Sequence, residues 1–367
     1  MPTPLKYLYN DQFFDQFCRA LNEVYDKFDS RGFMESVYAN GWEEMELKQR
    51  MRHISTMLQQ YLPSDYSDAI AVILKLVAYA KKHHEGMALE YMFLPDFIEQ
   101  YGLNEVELSI NAMEQITSLA SCEFAVRPFI IRDQPFMMEQ MLEWSKSEDH
   151  HLRRLASEGC RPRLPWAMAL PTMKQDPSDI LPVLENLKQD PSEYVRKSVA
   201  NNLNDISKDH PEIVMAIAKR WKGASKNTDW IVKHGCRTLL KRGNREVLRL
   251  FDFGSIQKIK IENFKVLTPL VKTGNYMSFQ FELINTAQSA AKIRLEYGIY
   301  YQKVSGSLSK RVFMLSEKSY AAGETVCIHR RQSFKRVSSR KLYPGLHRVG
   351  LIVNGEEVAM GDFFLEM

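Results

Sequence analysis

The first two thirds of the chain carry apolar residues at the spacing of amphipathic helices. The stretch SEYVRKSVANNLNDISK shows this well, because its apolar and polar residues fall on opposite faces of a helix. The apolar face comprises Val195, Val199, Leu203 and Ile206, and the polar face comprises Lys197, Asn201, Asp205 and Lys208. Motifs such as Asp190-Pro191-Ser192 are typical of helix starts. We therefore expect an almost entirely helical segment over residues 1–254.

Three stretches of this segment align with one another, namely HHLRRLASEG, SEYVRKSVANN and TDWIVKHGCRT. In this register Leu152, Val195 and Ile231 coincide at separations of 43 and 36 residues, a period typical of stacked helical pairs. A weaker match, EQITSLASCEF, begins at Glu114. Stacked repeats align their polar faces into one surface, so the pattern predicts a helical-repeat solenoid.

From residue 255 onward the pattern changes to the alternation of apolar and polar residues that is typical of strands. Seven alternating stretches, separated by turn residues, predict an all-β sandwich. The stretches are IQKIKIENFKV, MSFQFELIN, KIRLEYGIYY, RVFMLS, ETVCIHRR, HRVGLIVNG and EVAMGDFFLEM. Asn354-Gly355 predicts a tight hairpin between the last two. We therefore expect a mainly α protein, with a helical domain at 1–254 and a small all-β domain at 255–367.

The composition is that of a globular protein, since 45% of the 367 residues are hydrophobic and 26% are charged. The chain shows neither a signal segment nor a run of about 20 apolar residues, so we expect a cytoplasmic protein without a membrane anchor. The five cysteines lie far apart, which disfavours a zinc site and a disulfide framework. They are predicted to be free thiols packed as small apolar groups.

The formal net charge of +4 hides an uneven distribution. Residues 1–149 carry 13 Lys and Arg against 24 Asp and Glu, whereas residues 150–254 carry 19 against 12 and residues 255–367 carry 17 against 9. Excess positive charge is therefore confined to the second and third segments. A nucleic-acid footprint is expected there.

The most basic stretch surrounds LRRLASEGCRPRLPWA, and Glu158 is the only acid between His150 and Gln175. The positive side chains of this window are Arg153, Arg154, Arg161, Arg163 and Lys174. A surface that serves only solubility mixes both signs. The imbalance therefore suggests a polyanionic partner and a separate task for Glu158.

Aligned helices would gather these and later polar residues into one basic groove. The candidate DNA-binding residues are Arg153, Arg154, Arg161, Arg163, Trp166, Lys197, Asn201, Asn202, Lys233, Arg237 and Lys241. Arginine favours phosphate, and asparagine supplies neutral donors for backbone oxygens. Lys233, Arg237 and Lys241 are predicted to form one stripe of a single helix. A merely solvated face and a groove for an acidic peptide are the alternatives.

Two acids, Glu158 and Asp205, are predicted to face outward into this groove. A carboxylate among phosphate-binding groups repels the phosphate, so its presence there suggests that it has a function. Both acids are therefore candidate catalytic residues. The alternative is that they are ion-pair partners of Arg154, Arg161 and Lys197.

Two further residues are unusual for their surroundings. Glu123 falls on the apolar helical stripe that includes Met113 and Ile116, which predicts a position at a helix edge or a half-buried carboxylate. Trp166 follows two prolines and is either a core residue or an exposed aromatic that contacts a nucleoside.

Other chemistry has little support in the sequence. The glycine-rich phosphate-binding motifs and the serine nucleophile motif are absent. The adjacent histidines His150 and His151 are expected to point to different helix faces, which disfavours a metal site. We therefore expect neither a metal nor a cofactor.

Three segments, SLASCEFAVRPFI, LRRLASEGCRPRLPWA and VRKSVANNLNDISKDHPEIV, resemble the alkylpurine DNA glycosylase family of HEAT-like repeat proteins, in particular its AlkC branch. The likeness covers about the first 250 residues. Some members of this branch also carry a C-terminal immunoglobulin-like domain. The resemblance implies a HEAT-like helical solenoid followed by an immunoglobulin-like sandwich. By motif, it assigns the active-site acids to Glu123, Glu158 and Asp205, and it places Trp166 and Arg154 or Arg161 near the lesion.

The resemblance further implies a function in base excision repair. Bases methylated at N3, chiefly 3-methyladenine and 3-methylcytosine, would be excised from double-stranded DNA without entering a pocket. An alkylated ring nitrogen makes the base cationic and a good leaving group, and a carboxylate beside the deoxyribose would stabilise the positive charge that develops there. We expect a monomer. The alternative is a non-catalytic helical-repeat scaffold that binds nucleic acid or an acidic partner.

The β domain is a candidate second DNA clamp. It carries excess positive charge and the basic clusters His329-Arg330-Arg331 and Lys335-Arg336. A domain that only supports the helices or docks another protein is the alternative.

Overall fold

A computed structural model describes residues 3–39, 41–83, 86–336 and 341–367. The chain divides into two compact units. The first comprises residues 1–210 and 221–235, and the second comprises residues 211–220 and 236–367. The domain boundary between residues 254 and 255 stays a prediction.

The N-terminal region is helical, as predicted. In the described part of the chain it contains sixteen α-helices and four short 3-10 helices. The α-helices are α1 Asp11–Val24, α2 Ser30–Tyr38, α3 Leu47–Tyr61, α4 Tyr66–His83, α5 Phe93–Tyr101, α6 Val106–Ile116, α7 Val126–Arg132, α8 Gln134–Trp144, α9 His150–Gly159, α10 Pro171–Gln175, α11 Leu181–Leu187, α12 Glu193–Ile206, α13 Pro211–Trp221, α14 Lys226–Gly235, α15 Arg237–Lys241 and α16 Arg245–Leu250. Among the described helices, none has the length and apolar character needed to cross a membrane.

Helices α9 and α12 form where the apolar spacing predicts them. The carboxylate of Asp149 caps α9 by accepting a hydrogen bond from the His151 N–H at 2.8 Å. In α12 the predicted apolar face is confirmed, because all four of its residues are at most 1% exposed. These residues are Val195, Val199, Leu203 and Ile206. Burial of this face holds the polar face of α12 in a defined direction.

The three aligned stretches form helices that pack side by side, α9 against α12 and α12 against α14. The Ser157 hydroxyl donates to the Ser198 hydroxyl at 2.7 Å between α9 and α12. On the other side of α12, Gly235 approaches Leu203 so closely that an added Cβ atom would lie 2.9 Å from the Leu203 Cβ. Glycine therefore permits this packing. The HEAT-like solenoid itself stays a prediction.

Two details of the predicted helices are wrong. The weaker fourth stretch, EQITSLASCEF, is helical only as far as Ile116, where α6 ends. Glu123 therefore lies in the loop at residues 117–125 and not on a helical stripe. The Thr117 hydroxyl accepts the Cys122 N–H within this loop, which offers the backbone an alternative to helix. The predicted stripe of Lys233, Arg237 and Lys241 is divided, because α14 ends at Gly235 and α15 begins at Arg237.

The C-terminal region is all β, as predicted, with eight strands among the described residues and not seven. The strands are β1 Ile259–Val266, β2 Leu270–Lys272, β3 Tyr276–Asn285, β4 Ala291–Gln302, β5 Leu308–Tyr320, β6 Thr325–Ser333, β7 Gly345–Val353 and β8 Glu356–Glu366. They form a three-stranded sheet in the order β1-β3-β6 and a five-stranded sheet in the order β2-β8-β7-β4-β5. The additional strand, β2, pairs in parallel with β8. It has only three residues and is therefore too short to show an alternating pattern.

The two sheets share one apolar core, in which the rings of Phe279 from β3 and Tyr297 from β4 lie 5.4 Å apart. The predicted hairpin is confirmed, because β7 and β8 pair antiparallel around Asn354 and Gly355. Both turn residues have positive φ, at 44° and 80°, as a type I′ turn requires. All five cysteines are free. Four are buried as predicted, but Cys327 is exposed.

Candidate functional site

The three predicted acids lie along one continuous series of ion pairs. Arg154 and Glu158 share a face of α9 because they lie four residues apart. Arg154 Nη1 donates to Glu123, and its Nη2 lies 3.6 Å from Glu158 Oε1. Arg161 Nη1 lies 2.6 Å from the same Glu158 oxygen, and its Nε lies 2.9 Å from Asp205 Oδ2. We call this series, which ends at Lys208, the ion-pair chain.

Most of the ion-pair chain is buried. The side chains of Glu158 and Arg161 are each 7% exposed, and that of Asp205 is 2% exposed. The prediction that Glu158 and Asp205 face outward is therefore wrong. Arg161, from the segment that follows α9, reaches between the two carboxylates and covers them. Lys208, 2.9 Å from Asp205 Oδ1, completes the neutralisation of these charges.

Of the three predicted acids, Glu123 is the most accessible to a ligand, since its side chain is 17% exposed. It accepts hydrogen bonds from Ser121 and Arg154. The guanidinium of Arg154 also lies over the ring of Tyr194, 4.8 Å from its centroid. Burial acts to lower the pKa of Arg154, but the charges of Glu123 and Glu158 outweigh it and the pKa is raised. Arg154 is therefore a firmly held cation.

Glu123 and Arg154 form part of the wall of a cavity of about 210 Å³. The wall is largely apolar, and Trp166 contributes an indole that is 62% exposed. The remaining lining residues are Met51, Met87, Ala88, Leu89, Met92, Pro95, Asp96, Glu99, Ala120, Ser121, Phe124 and Tyr194. Of the two predictions for Trp166, the structure favours the exposed aromatic.

The backbone of Trp166 is strained. Its φ angle is 67°, a region in which a bulky residue costs about 1–3 kcal/mol unless its surroundings enforce it. The Trp166 carbonyl accepts a hydrogen bond of 2.6 Å from Lys48 Nζ. The main chain at Trp166 is therefore held by Lys48 of α3.

One buried residue near the site was missed by sequence reasoning. Arg127 of α7 has no exposed surface, and its guanidinium donates to the carbonyls of Gly159, Arg161 and Met168. Its position in the apolar run AVRPFII is the signal that could have revealed it, because a lone arginine on an apolar stripe implies a buried guanidinium. Ser121 and Tyr194 were also missed, and nothing in the local sequence marks them.

Three of the predicted DNA-binding residues are engaged inside the protein. Arg153 donates to both carboxylate oxygens of Asp190, at 2.6 and 3.1 Å, and to two carbonyls before α9. Asn202 is fully buried and donates to the Ser157 carbonyl at 2.9 Å. Arg161 is buried within the ion-pair chain, where its guanidinium contacts Glu158 and Asp205. In this structure their donors are used by protein acceptors, and the assignment of these three residues to DNA stays a prediction.

Arg154 is also largely buried, with a side chain 13% exposed, whereas the other predicted DNA-binding residues are more accessible. Arg163 is 36% exposed and pairs with Asp209 at 2.6 Å. Lys197 is 57% exposed and pairs with Glu193 at 2.6 Å, and so not with Glu158 or Asp205. Lys233 and Lys241 are exposed, whereas Asn201 and Arg237 are half-buried.

The adjacent histidines do not point to different helix faces, since their rings lie 4.1 Å apart. Among the described residues, ligand atoms of Asp149, His150 and His151 lie within 4.8 Å of one another. The Asp149 carboxylate, however, already caps α9. Burial also lowers the pKa of His151. The absence of a metal stays a prediction.

Comparisons with known proteins agree across the chain. A family model described as DNA alkylation repair enzyme matches residues 37–239, and one described as the C-terminal Ig-like domain of the uncharacterised protein YhaZ matches residues 260–367. The uncharacterized protein YhaZ of Bacillus subtilis (strain 168) is 40% identical over 359 residues, which are 98% of both chains. The Pseudomonas fluorescens alkylpurine DNA glycosylase AlkC, bound to DNA containing an abasic site analog, has a similar structure with a TM-score of 0.93. It is 35% identical, and the match covers 99% of this chain and 100% of that chain.

Proposed function

Because the chain belongs to the DNA alkylation repair enzyme family, we propose that it is a DNA glycosylase that excises N3-alkylated bases from double-stranded DNA. Its substrates would be cationic lesions such as 3-methyladenine and 3-methylcytosine. Support comes from the similarity over the whole chain to AlkC, which was solved with DNA that contains an abasic site analog. The cytoplasmic location, the monomeric state and the independence from cofactors are part of the same proposal.

One observation carries this proposal. An acid, Glu123, and an exposed tryptophan, Trp166, line the same largely apolar cavity, and Arg154 holds the carboxylate of Glu123. An anion in such low-dielectric surroundings stabilises a developing cation more strongly than one in water. Trp166 would contact the nucleoside by stacking or edge contact.

The chemistry needs no general acid, because the alkylated base already carries a positive charge. As the bond between C1′ and the base nitrogen breaks, its electron pair neutralises the leaving base and positive charge develops on the deoxyribose. Water then adds to C1′ and loses a proton to a carboxylate. The base departs without being enclosed in a pocket.

We assign the three acids different parts of this work. Glu123 would face the sugar, since it is the only one of the three that lines the cavity. Glu158 and Asp205 are buried, so they would act chiefly by fixing Arg154 and Arg161 around the site. Both are nevertheless expected to be needed for turnover.

Contacts to the DNA backbone would come from cations that are exposed or half-buried. In the first unit these are Arg163, Lys197 and Lys233, and the half-buried Asn201 would add a neutral donor. In the second unit Arg237 and Lys241 add to them, and the β domain would serve as a further clamp. Its basic clusters, His329-Arg330-Arg331 and Lys335-Arg336, are exposed. Phosphate neutralisation by these groups makes binding salt-dependent.

The test is release of free base from duplex DNA that carries 3-methyladenine, in a metal-free buffer. Glu123→Gln should abolish release and leave DNA affinity unchanged or higher, because it removes repulsion from phosphate. The matched control is Glu35→Gln, which changes an exposed acid that pairs with Arg31 and should leave release unchanged. Efficient release of uracil would contradict a mechanism that depends on a cationic base.

The alternative function is a scaffold that binds nucleic acid without cleaving it. It predicts salt-dependent DNA binding by the wild-type protein and no base release. The proposed glycosylase would then be wrong, although the DNA interface would stand.

A further inference from the structure

The guanidinium of Arg127 ties together both ends of the segment that carries Trp166. Its Nη1 donates to the Gly159 carbonyl at 2.8 Å and to the Arg161 carbonyl at 2.9 Å. Its Nε donates to the Met168 carbonyl at 2.7 Å. One planar side chain therefore connects the C-terminal end of α9 with main-chain atoms on both sides of Trp166.

Arg127 is also a buried cation without a carboxylate partner. It is fully buried, and within the described part of the chain no carboxylate lies within 4.0 Å of it. Its Nη2 has no hydrogen-bond partner among the described residues. Burial lowers the pKa of Arg127 to about 10, so the group stays charged at neutral pH. The three carbonyls, including that of Gly159 at the negative end of the α9 dipole, stabilise this charge, and the charges of Asp205 and Glu158 add to the effect.

Few main-chain hydrogen bonds lie within the tied segment, which is also held by Lys48 through the Trp166 carbonyl and by the Arg163 side chain through Asp209. Within it, the Ala167 N–H donates to the Leu164 carbonyl at 3.3 Å and the Leu170 N–H donates to the Pro162 carbonyl at 3.2 Å. These are long bonds, and they hold a segment whose central residue has a positive φ angle. A strained backbone persists only where its surroundings enforce it. Arg127 and Lys48 supply the two shortest side-chain anchors of this main chain, at 2.7 Å to the Met168 carbonyl and 2.6 Å to the Trp166 carbonyl.

We propose that Arg127 is a positioning residue, which holds the segment at 160–168 so that Trp166 is presented to the substrate. The expected effect of Arg127 on kcat rests on the proposed function. Its structural part can be tested whether or not base release occurs. Arg127 touches neither the cavity wall nor any of the acids through a hydrogen bond.

The first test is hydrogen exchange in the full-length Arg127→Lys variant. Lysine keeps the charge, but its compact ammonium group cannot donate to all three carbonyls that the planar guanidinium reaches. Amide exchange at residues 161–168 should accelerate on the order of tenfold, as expected when a charge-assisted hydrogen bond is lost. Unchanged exchange there would overturn the proposal.

The second test is kinetic. In Arg127→Lys, kcat for release of 3-methyladenine should fall on the order of 100-fold, because displacement of a positioning group by about 1 Å has that effect. DNA affinity should stay within about twofold. In a Trp166→Ala background the same substitution should change kcat by no more than about twofold, because its effect operates through Trp166. Additive losses would contradict a positioning role.

The matched control is Arg50→Lys. Arg50 is 1% exposed and also donates to two main-chain carbonyls, those of Lys6 and Met45, at 3.2 and 3.3 Å. Its substitution should lower stability without changing exchange at 161–168 or kcat. Failure of Arg127→Lys to fold, where Arg50→Lys does fold, would count against a local role for Arg127. Absence of base release by the wild-type protein would refute the glycosylase proposal alone, since hydrogen exchange still decides whether Arg127 holds the segment.

Discussion

Arg161 and Arg163 lie two residues apart and are proposed to have different roles. Arg161 would be a counter-ion of the buried acids, and Arg163 would contact a DNA phosphate. Arg161 and Arg163 each bridge to an aspartate at the end of α12, namely Asp205 and Asp209. The first pair is buried, with side chains 7% and 2% exposed, and the second is 36% and 28% exposed. We therefore expect Arg161→Met to lower stability chiefly and Arg163→Met to weaken DNA binding chiefly.

Removing Arg161 leaves Glu158 and Asp205 buried without their shared cation. Loss of one partner from a buried ion pair costs about 3–5 kcal/mol in the free energy of unfolding. At about 2–4 °C per kcal/mol for a unit of this size, the midpoint of thermal unfolding should fall by roughly 6–20 °C. The exposed pair of Arg163 contributes only about 0–1 kcal/mol, so Arg163→Met should lower the midpoint by less than about 4 °C.

The DNA-binding assay is the dependence of duplex affinity on salt concentration. Each phosphate contact contributes about 0.9 to the slope of log affinity against log salt. Arg163→Met should reduce this slope by about one contact, whereas folded Arg161→Met, measured below its midpoint, should leave it unchanged. A stability loss under 1 kcal/mol for Arg161→Met together with a reduced slope would refute the counter-ion role, and the earlier assignment of Arg161 to DNA would be restored.

Two further predictions concern stability. Burial raises the pKa of Asp96 to about 6, even though Arg52 opposes it, so the folded state binds a proton more tightly than the unfolded state does. Stability should therefore fall as pH rises from about 4 to about 6, and Asp96→Asn should remove this fall and gain up to about 3 kcal/mol at pH 7.5 in urea unfolding. No difference between the two proteins at pH 7.5 would contradict this. Gly235→Ala should cost about 1–3 kcal/mol, because its Cβ would lie 2.9 Å from that of Leu203. Gly254→Ala, with no atom within 4 Å, should be neutral in the same measurement.

Much of the local structure follows from sequence patterns, because it depends on neighbours along the chain. The apolar face of α12 and the hairpin at Asn354-Gly355 are confirmed for this reason. Helix spacing and the positive φ angles of an Asn-Gly turn are local requirements. The small strand β2 was missed, because three residues are too few to show alternation.

The candidate site was predicted only in part. Its acids were identified through the resemblance of short motifs, and the structure places them in one ion-pair chain. The protein acceptors of Arg153 and Asn202 were not predicted, because a sequence shows that a donor exists but not which acceptor it meets. Asp190 lies 37 positions from Arg153, and Ser157 lies 45 positions from Asn202.

The amino-acid sequence by itself determined which segments become helix or strand, and it marked a basic region that contains unusual acids. Tertiary structure alone decided which cation neutralises each acid, which acid reaches the cavity, and that Arg127 anchors the segment of Trp166. The physical reason is range. Backbone preferences act within a few residues, whereas burial and charge pairing depend on groups that meet only when distant segments pack together.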